Sequence, residues 1–115
     1  MNNLPNAEVS PRIVNGVLRW YAGDTFDIQI EIDLKDQDEE PITIGPDDTV
    51  EVVFKDKSLD VVKTFEFDNI EDNIVTLEFD ETCTALFPAG KYTYDVYYTG
   101  EKRTTIANDN KVLVE

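Results

Sequence analysis

The fold of this chain is most constrained by one stretch, Leu86-Phe87-Pro88-Ala89-Gly90-Lys91-Tyr92-Thr93-Tyr94-Asp95-Val96-Tyr97-Tyr98. Pro88 and Gly90 end any helix that begins upstream, because proline lacks an N–H donor and clashes with the preceding turn. After Gly90 the residues alternate: Tyr92, Tyr94, Val96 and Tyr98 fall on one side, and Lys91, Thr93, Asp95 and Tyr97 on the other. This period predicts a β-strand with one buried face and one wetter face.

The start of this stretch has the spacing of a tyrosine corner. In immunoglobulin-like sandwiches a leucine, a turn and then Gly-x-Tyr open a strand, and the tyrosine hydroxyl bonds back to the upstream backbone. We assign Leu86, Gly90 and Tyr92 to such a structural corner. The hydroxyl of Tyr92 is expected to bond a backbone group in the connection from Asp80 to Pro88.

Further alternating runs predict the remaining strands. They lie at Val17 to Tyr21, Thr25 to Leu34, Val50 to Lys55, Val61 to Phe67, Ile74 to Phe79 and Arg103 to Val114. Turn residues separate the runs at regular spacing, which indicates an all-β, immunoglobulin-like antiparallel β-sandwich of about seven to eight strands. Asp80 caps one short helical turn that Pro88 stops. Residues 1–16 form a loose lead-in with a short edge strand, and residues 17–115 form the sandwich domain.

Three finer predictions concern how the strands are arranged. The segment from Val50 to Phe79 is expected to form a meander. The last strand, from Arg103, is expected at a sheet edge, with a bulge at Asn108-Asp109-Asn110 because these residues interrupt its alternation.

Composition excludes several classes of partner and location. The chain has 115 residues, 41% of them hydrophobic, so it forms one domain around a real core. Its net charge of -15, with only 10 Lys and Arg, argues against nucleic acid and membrane surfaces as partners. No signal peptide or transmembrane segment is found, so we expect synthesis in the cytoplasm.

The residue types that carry most enzyme chemistry are missing or badly placed. The chain has no His, and its single Cys83 excludes an internal disulfide and a cysteine zinc site. Ser10 and Ser58 lie in loop segments without a partner base. Asp36-Gln37-Asp38-Glu39-Glu40 has the spacing of a calcium loop, but Pro41 occupies the position that requires Gly. We therefore predict no catalytic residue, no cofactor and no metal ligand.

With these kinds of site excluded, binding of another molecule at the surface is the function that remains, and one group of residues is the candidate for a contact surface. Trp20, Tyr92 and Tyr94 are expected in the core or the corner, whereas Tyr97 lies on the opposite side of its strand. Tyr97, Lys102 and Arg103 lie near one end of the last hairpin, and we predict that they form a protein-contact surface.

The order of these features resembles a family of phage-encoded immunoglobulin-like domains, best known as the N-terminal domain of upper baseplate proteins and found widely in prophage tail regions. The matching residues are Gly23-Asp24-Thr25-Phe26, Asp48-Thr49-Val50-Glu51-Val52-Val53-Phe54, Val75-Thr76-Leu77-Glu78-Phe79 and Leu86 to Val96. The resemblance covers roughly Val17 to Val114. It implies a non-enzymatic virion component that docks onto other tail or baseplate proteins.

Two hypotheses follow. The first is a structural interaction module of a phage or prophage tail, synthesised in the bacterial cytoplasm and located in the virion. Its expected partners are other tail or baseplate proteins, with self-association as a further expectation. The alternative is a cell-surface β-sandwich module that binds carbohydrate or calcium.

Overall fold

The structure, a computed structural model, describes residues 11–115, and the prediction for residues 1–10 lies outside this range. Eight strands and one helix follow each other along the chain. They are β1 (Arg12–Val14), β2 (Val17–Trp20), β3 (Phe26–Glu31), β4 (Thr49–Asp56), β5 (Val61–Phe67), β6 (Ile74–Phe79), α1 (Glu81–Thr84), β7 (Gly90–Thr99) and β8 (Arg103–Val114). Between Pro11 and Glu115, no helix is long and apolar enough to cross a bilayer.

The strands form two sheets, which confirms the predicted all-β sandwich with one short helix. The larger sheet has the order β1-β2-β8-β7-β4-β5, and the smaller one pairs β3 with β6. The order β8-β7-β4-β5 corresponds to the G-F-C-C′ strands of variable-type immunoglobulin domains. All pairs are antiparallel except β2 with β8, which run parallel and depart from the prediction.

Two predictions of strand arrangement are wrong. The segment from Val50 to Phe79 is not a meander, because β6 leaves β5 and pairs with β3 in the other sheet. This crossing places Val75, Leu77 and Phe79 opposite the large sheet, where their apolar face is buried. The last strand is not a sheet edge along its whole length, because β8 lies between β7 and β2. The edge position of β1, in contrast, agrees with the prediction.

The core is an aromatic cluster between the sheets. Trp20 is fully buried, and its ring centroid lies 5.2 Å from that of Phe79 and 5.6 Å from that of Phe87. Phe54 completes the cluster, and its ring centroid also lies 5.4 Å from that of Tyr94. Burial of each such ring stabilises the fold by roughly 1.5 to 3 kcal/mol. Trp20 and Tyr92 are buried and Tyr94 packs half-buried against them, which confirms their predicted places in the core or the corner.

The corner forms as predicted at Tyr92 but not at Leu86. The Tyr92 hydroxyl donates a hydrogen bond of 2.5 Å to the carbonyl oxygen of Pro88, and Gly90 opens β7. Leu86 is 45% exposed, and Phe87 takes the buried position instead. The turn after α1 explains this. The backbone N–H of Leu86 bonds to the carbonyl oxygen of Cys83, and that of Phe87 bonds to the carbonyl oxygen of Thr84, so the Phe87 side chain is the one that points inward.

Candidate functional site

The outer face of the six-stranded sheet carries the most distinctive polar chemistry of the described chain. Alternation along β7 directs Tyr92 and Tyr94 into the core, so Thr93, Asp95 and Tyr97 point outward. On β4 the cross-strand neighbours of these three residues are Lys55, Val53 and Glu51. Strand alternation thus places a carboxylate, an ammonium and a phenol on one surface.

Two of the three predicted contact residues come together on this face. The guanidinium carbon of Arg103 lies 4.0 Å from the centroid of the Tyr97 ring, which is a cation–π contact. Lys102 lies in the β7–β8 turn, is exposed and takes part in no ion pair within residues 11–115. The structure therefore unites Tyr97 with Arg103 and leaves Lys102 apart.

Asp95 is the residue that the sequence pattern placed wrongly. The alternation predicts a wetter position, but the Asp95 side chain is fully buried. Its Oδ2 accepts hydrogen bonds from Lys55 Nζ at 2.7 Å and from the Tyr97 hydroxyl at 3.0 Å. Its Oδ1 accepts a hydrogen bond of 2.7 Å from the backbone N–H of Asp109. A buried carboxylate with three donors is satisfied, so it holds its neighbours in fixed positions.

The ionisation of this cluster follows from the same contacts. Burial raises the pKa of Asp95, but the hydrogen bonds from Lys55, Asp109 and Tyr97 outweigh it, and the net pKa is lowered. The hydrogen bond to Asp95 is the main cause that raises the pKa of Lys55. Asp95 and Lys55 are therefore a charged pair at neutral pH.

The predicted bulge in β8 explains why Asp95 is buried. The register of β7 with β8 shifts twice, once between Tyr94 and Val96 and once between Val96 and Tyr97. Asp109 lies at the first shift with a positive φ of 54°. A bulged residue has no partner in the strand ladder. Here the backbone N–H of Asp109 donates to the Asp95 carboxylate instead. The sequence pattern alone did not connect Asp95 with the bulge; the signal available for this contact was an aspartate on the strand that pairs with a bulged segment.

Part of β8 presents an open backbone edge beside this cluster. β2 pairs with β8 only from Val112 to Val114. In the part of the chain that the structure describes, no strand pairs with the edge of residues 103–111 that faces away from β7. Within residues 11–115, this edge therefore has no strand partner, and such an edge can pair with another chain.

A groove lies at the other end of the same face. Lys57, Lys91 and Lys111 line it together with Val17 and Leu113, and its volume is about 420 Å³. None of the three lysines forms an ion pair within residues 11–115. We call these five residues the lysine groove. It is a cationic, partly apolar surface on a chain whose net charge is -15.

The acidic turn that resembled a calcium loop is bonded internally. Asp36 Oδ1 accepts the backbone N–H groups of Asp38 and Glu40, at 2.8 and 3.0 Å. Among residues 11–115, no group of three or more His, Cys, Asp or Glu side chains is placed to hold a metal ion.

Comparisons with known proteins add no relative to this picture. No family model matches the chain, and no match was found among curated proteins or among solved structures.

Proposed function

We propose that this chain is a non-enzymatic, structural protein-interaction module of a phage or prophage tail, of the baseplate type. The tail assignment is supported by the residue pattern that resembles this family and by the agreement of the fold class with it. The fold by itself does not specify a function, so the proposal depends on a surface that suits protein binding.

The observation that carries the proposal is the open edge of β8 beside the Tyr97–Arg103 pair. Tyr and Arg are the side chains most enriched at the energetic centres of protein interfaces. Here the Tyr97 hydroxyl is bonded to Asp95, and the Tyr97 ring is covered by Arg103. Because both side chains are already ordered, they lose less conformational entropy when a partner binds.

The form of the edge determines how a partner can bind. Both register shifts lie in the open part of β8, and bulges interrupt the regular spacing that a long added strand would need. We therefore expect a partner to form backbone hydrogen bonds over a short segment and to dock its side chains on Tyr97 and Arg103.

The test is co-purification with the products of the neighbouring genes. The protein is co-expressed with each tail or baseplate protein encoded beside it, and the affinity of any complex is measured by calorimetry. Replacing Tyr97 and Arg103 together by Ala is expected to weaken the complex at least about tenfold. Lys35→Ala removes an exposed cation outside this surface and should leave the affinity unchanged.

Two outcomes decide the matter. A complex that is weakened only by the Tyr97 and Arg103 replacements supports the proposal. If no neighbouring gene product binds and the protein instead binds a glycan or calcium specifically, the tail-module assignment is wrong.

A further inference from the structure

We propose that a second copy of this chain docks in the lysine groove through its acidic loop, residues Asp36–Glu40, so that copies associate head to tail. This inference rests on the proposed protein-binding role and names one partner, but it uses a different surface from the Tyr97–Arg103 pair.

Charge is distributed unevenly between the two ends of the sandwich. The lysine groove lies where β7 begins, because Lys91 is the second residue of that strand and Lys111 is paired with Thr93. At the opposite end of the sandwich, where β7 ends, the Tyr98 hydroxyl donates a hydrogen bond to Asp48 Oδ2. The acidic segments at that end include the exposed carboxylates Asp33, Asp36, Asp38, Glu39, Glu40, Asp47, Asp68, Glu71 and Asp72.

Hydrogen bonds close the acidic loop at this end of the sandwich. Asp36 bonds the backbone of Asp38 and Glu40, and Lys35 pairs with Pro41 at the base of the loop. Asn73 fixes the following segment, because its side chain donates to Ile42 O and accepts from the N–H of Ile44. A loop that is already ordered loses little conformational entropy when it binds.

The lysine groove offers what such a loop needs. Its three ammonium groups are without carboxylate partners in the described chain, and Val17 and Leu113 supply apolar contact area. A carboxylate from the loop would accept hydrogen bonds from the ammonium groups.

The net charge of the chain does not prevent this contact at physiological salt. The Debye length is about 8 Å at 0.15 M ionic strength, so the acidic ends of neighbouring copies are screened from each other while groups in contact still attract. Because groove and loop are different surfaces at opposite ends, each copy can use both, and the contact generates a ring or an open filament.

Sedimentation velocity of the whole protein tests the inference. Exposed ion pairs are individually weak, so we expect association at roughly 0.1 to 1 mM protein in 0.15 M salt, and a loss of association in about 1 M salt. Reversing the groove with Lys91→Glu and Lys111→Glu should weaken association at least about tenfold. Reversing the loop with Asp38→Lys and Glu40→Lys should have the same effect.

Mixing the two variants gives the decisive measurement. Each reversed surface is then opposed by a complementary one, so the mixture is expected to associate within about threefold of the unaltered protein although neither variant does so alone. Asp27→Lys with Glu78→Lys is the matched control: it changes the net charge as the loop variant does, on exposed residues of the small sheet. It should not weaken association. Unchanged urea midpoints verify that the variants fold.

Three results would overturn the inference: a monomer at all concentrations, association that ignores both reversals, or a mixture that remains monomeric. Binding of a short oligonucleotide that the groove reversal abolishes, without self-association, would assign the groove to a polyanion instead. The proposed tail function stands or falls separately, because neither reversal changes Tyr97 or Arg103.

Discussion

Replacing Asp95 by Asn tests whether the buried carboxylate organises the outer face of the large sheet. Asn keeps an oxygen that can accept the N–H of Asp109. It places an NH₂ group where Oδ2 of Asp95 accepts hydrogen bonds from Lys55 and Tyr97. Hydrogen bonds to a charged group contribute about 1.5 to 3 kcal/mol to stability. The partly exposed Lys55 ammonium can still reach water in the variant. We therefore expect Asp95→Asn to lower the free energy of unfolding by about 2 kcal/mol.

Asp95→Ala should cost more, because it also leaves the N–H of Asp109 without an acceptor. This adds about 1 to 3 kcal/mol to the loss. Urea unfolding measures both variants, since the fluorescence of the single, fully buried Trp20 reports the loss of the core. Tyr97→Phe serves as the mild comparison because it removes only one of the three donors and should cost about 1 kcal/mol or less.

The pH dependence of this difference gives an independent check. The pKa of Asp95 is lowered in the folded protein from its ordinary value of 3.8. The contribution of the Asp95 carboxylate to the free energy of unfolding is thus fully present at pH values above that ordinary pKa. It is lost as the pH falls through the pKa of the folded protein. The stability difference between the unaltered protein and Asp95→Asn should be constant near neutral pH and shrink below about pH 4. A loss smaller than about 0.5 kcal/mol at neutral pH, or a difference that grows in acid, would refute the reasoning.

Four further substitutions test the corner and the β4–β5 hairpin by urea unfolding. Tyr92→Phe removes the hydrogen bond to Pro88 O and should cost about 0.5 to 1.5 kcal/mol; no change would show that the bond contributes nothing. Phe87→Ala should cost about 3 to 5 kcal/mol, whereas Leu86→Ala on the exposed neighbour should cost less than about 1 kcal/mol; equal losses would contradict the assigned burial. Leu59→Gly should raise stability by about 1 kcal/mol, because Leu59 has a φ of 67° and is 66% exposed; a loss would mean that its side chain contributes to packing.

Much of the fold could be predicted from local sequence. The alternation along Phe26–Glu31 and Ile74–Phe79 identified which residues face the core, because side chains of a strand point to opposite faces in turn. Pro88, Gly90 and Tyr92 located the corner, since its hydrogen bond spans only four residues. Asp80 as helix cap, with Cys83 N–H bonded to its Oδ1, is another contact within one turn.

Tertiary structure decided what depends on residues far apart in the chain. Alternation specifies a face but not a partner strand, so the parallel pairing of β2 with β8 and the passage of β6 to the small sheet were not predictable from it. The candidate surfaces have the same origin. Asp95 is buried only because Lys55 and the bulge at Asp109 close over it, and the lysine groove exists only where Lys57, Lys91 and Lys111 meet from three separate segments. Such groups acquire their environment when the sheets pack, because burial and charge pairing are properties of the assembled surface.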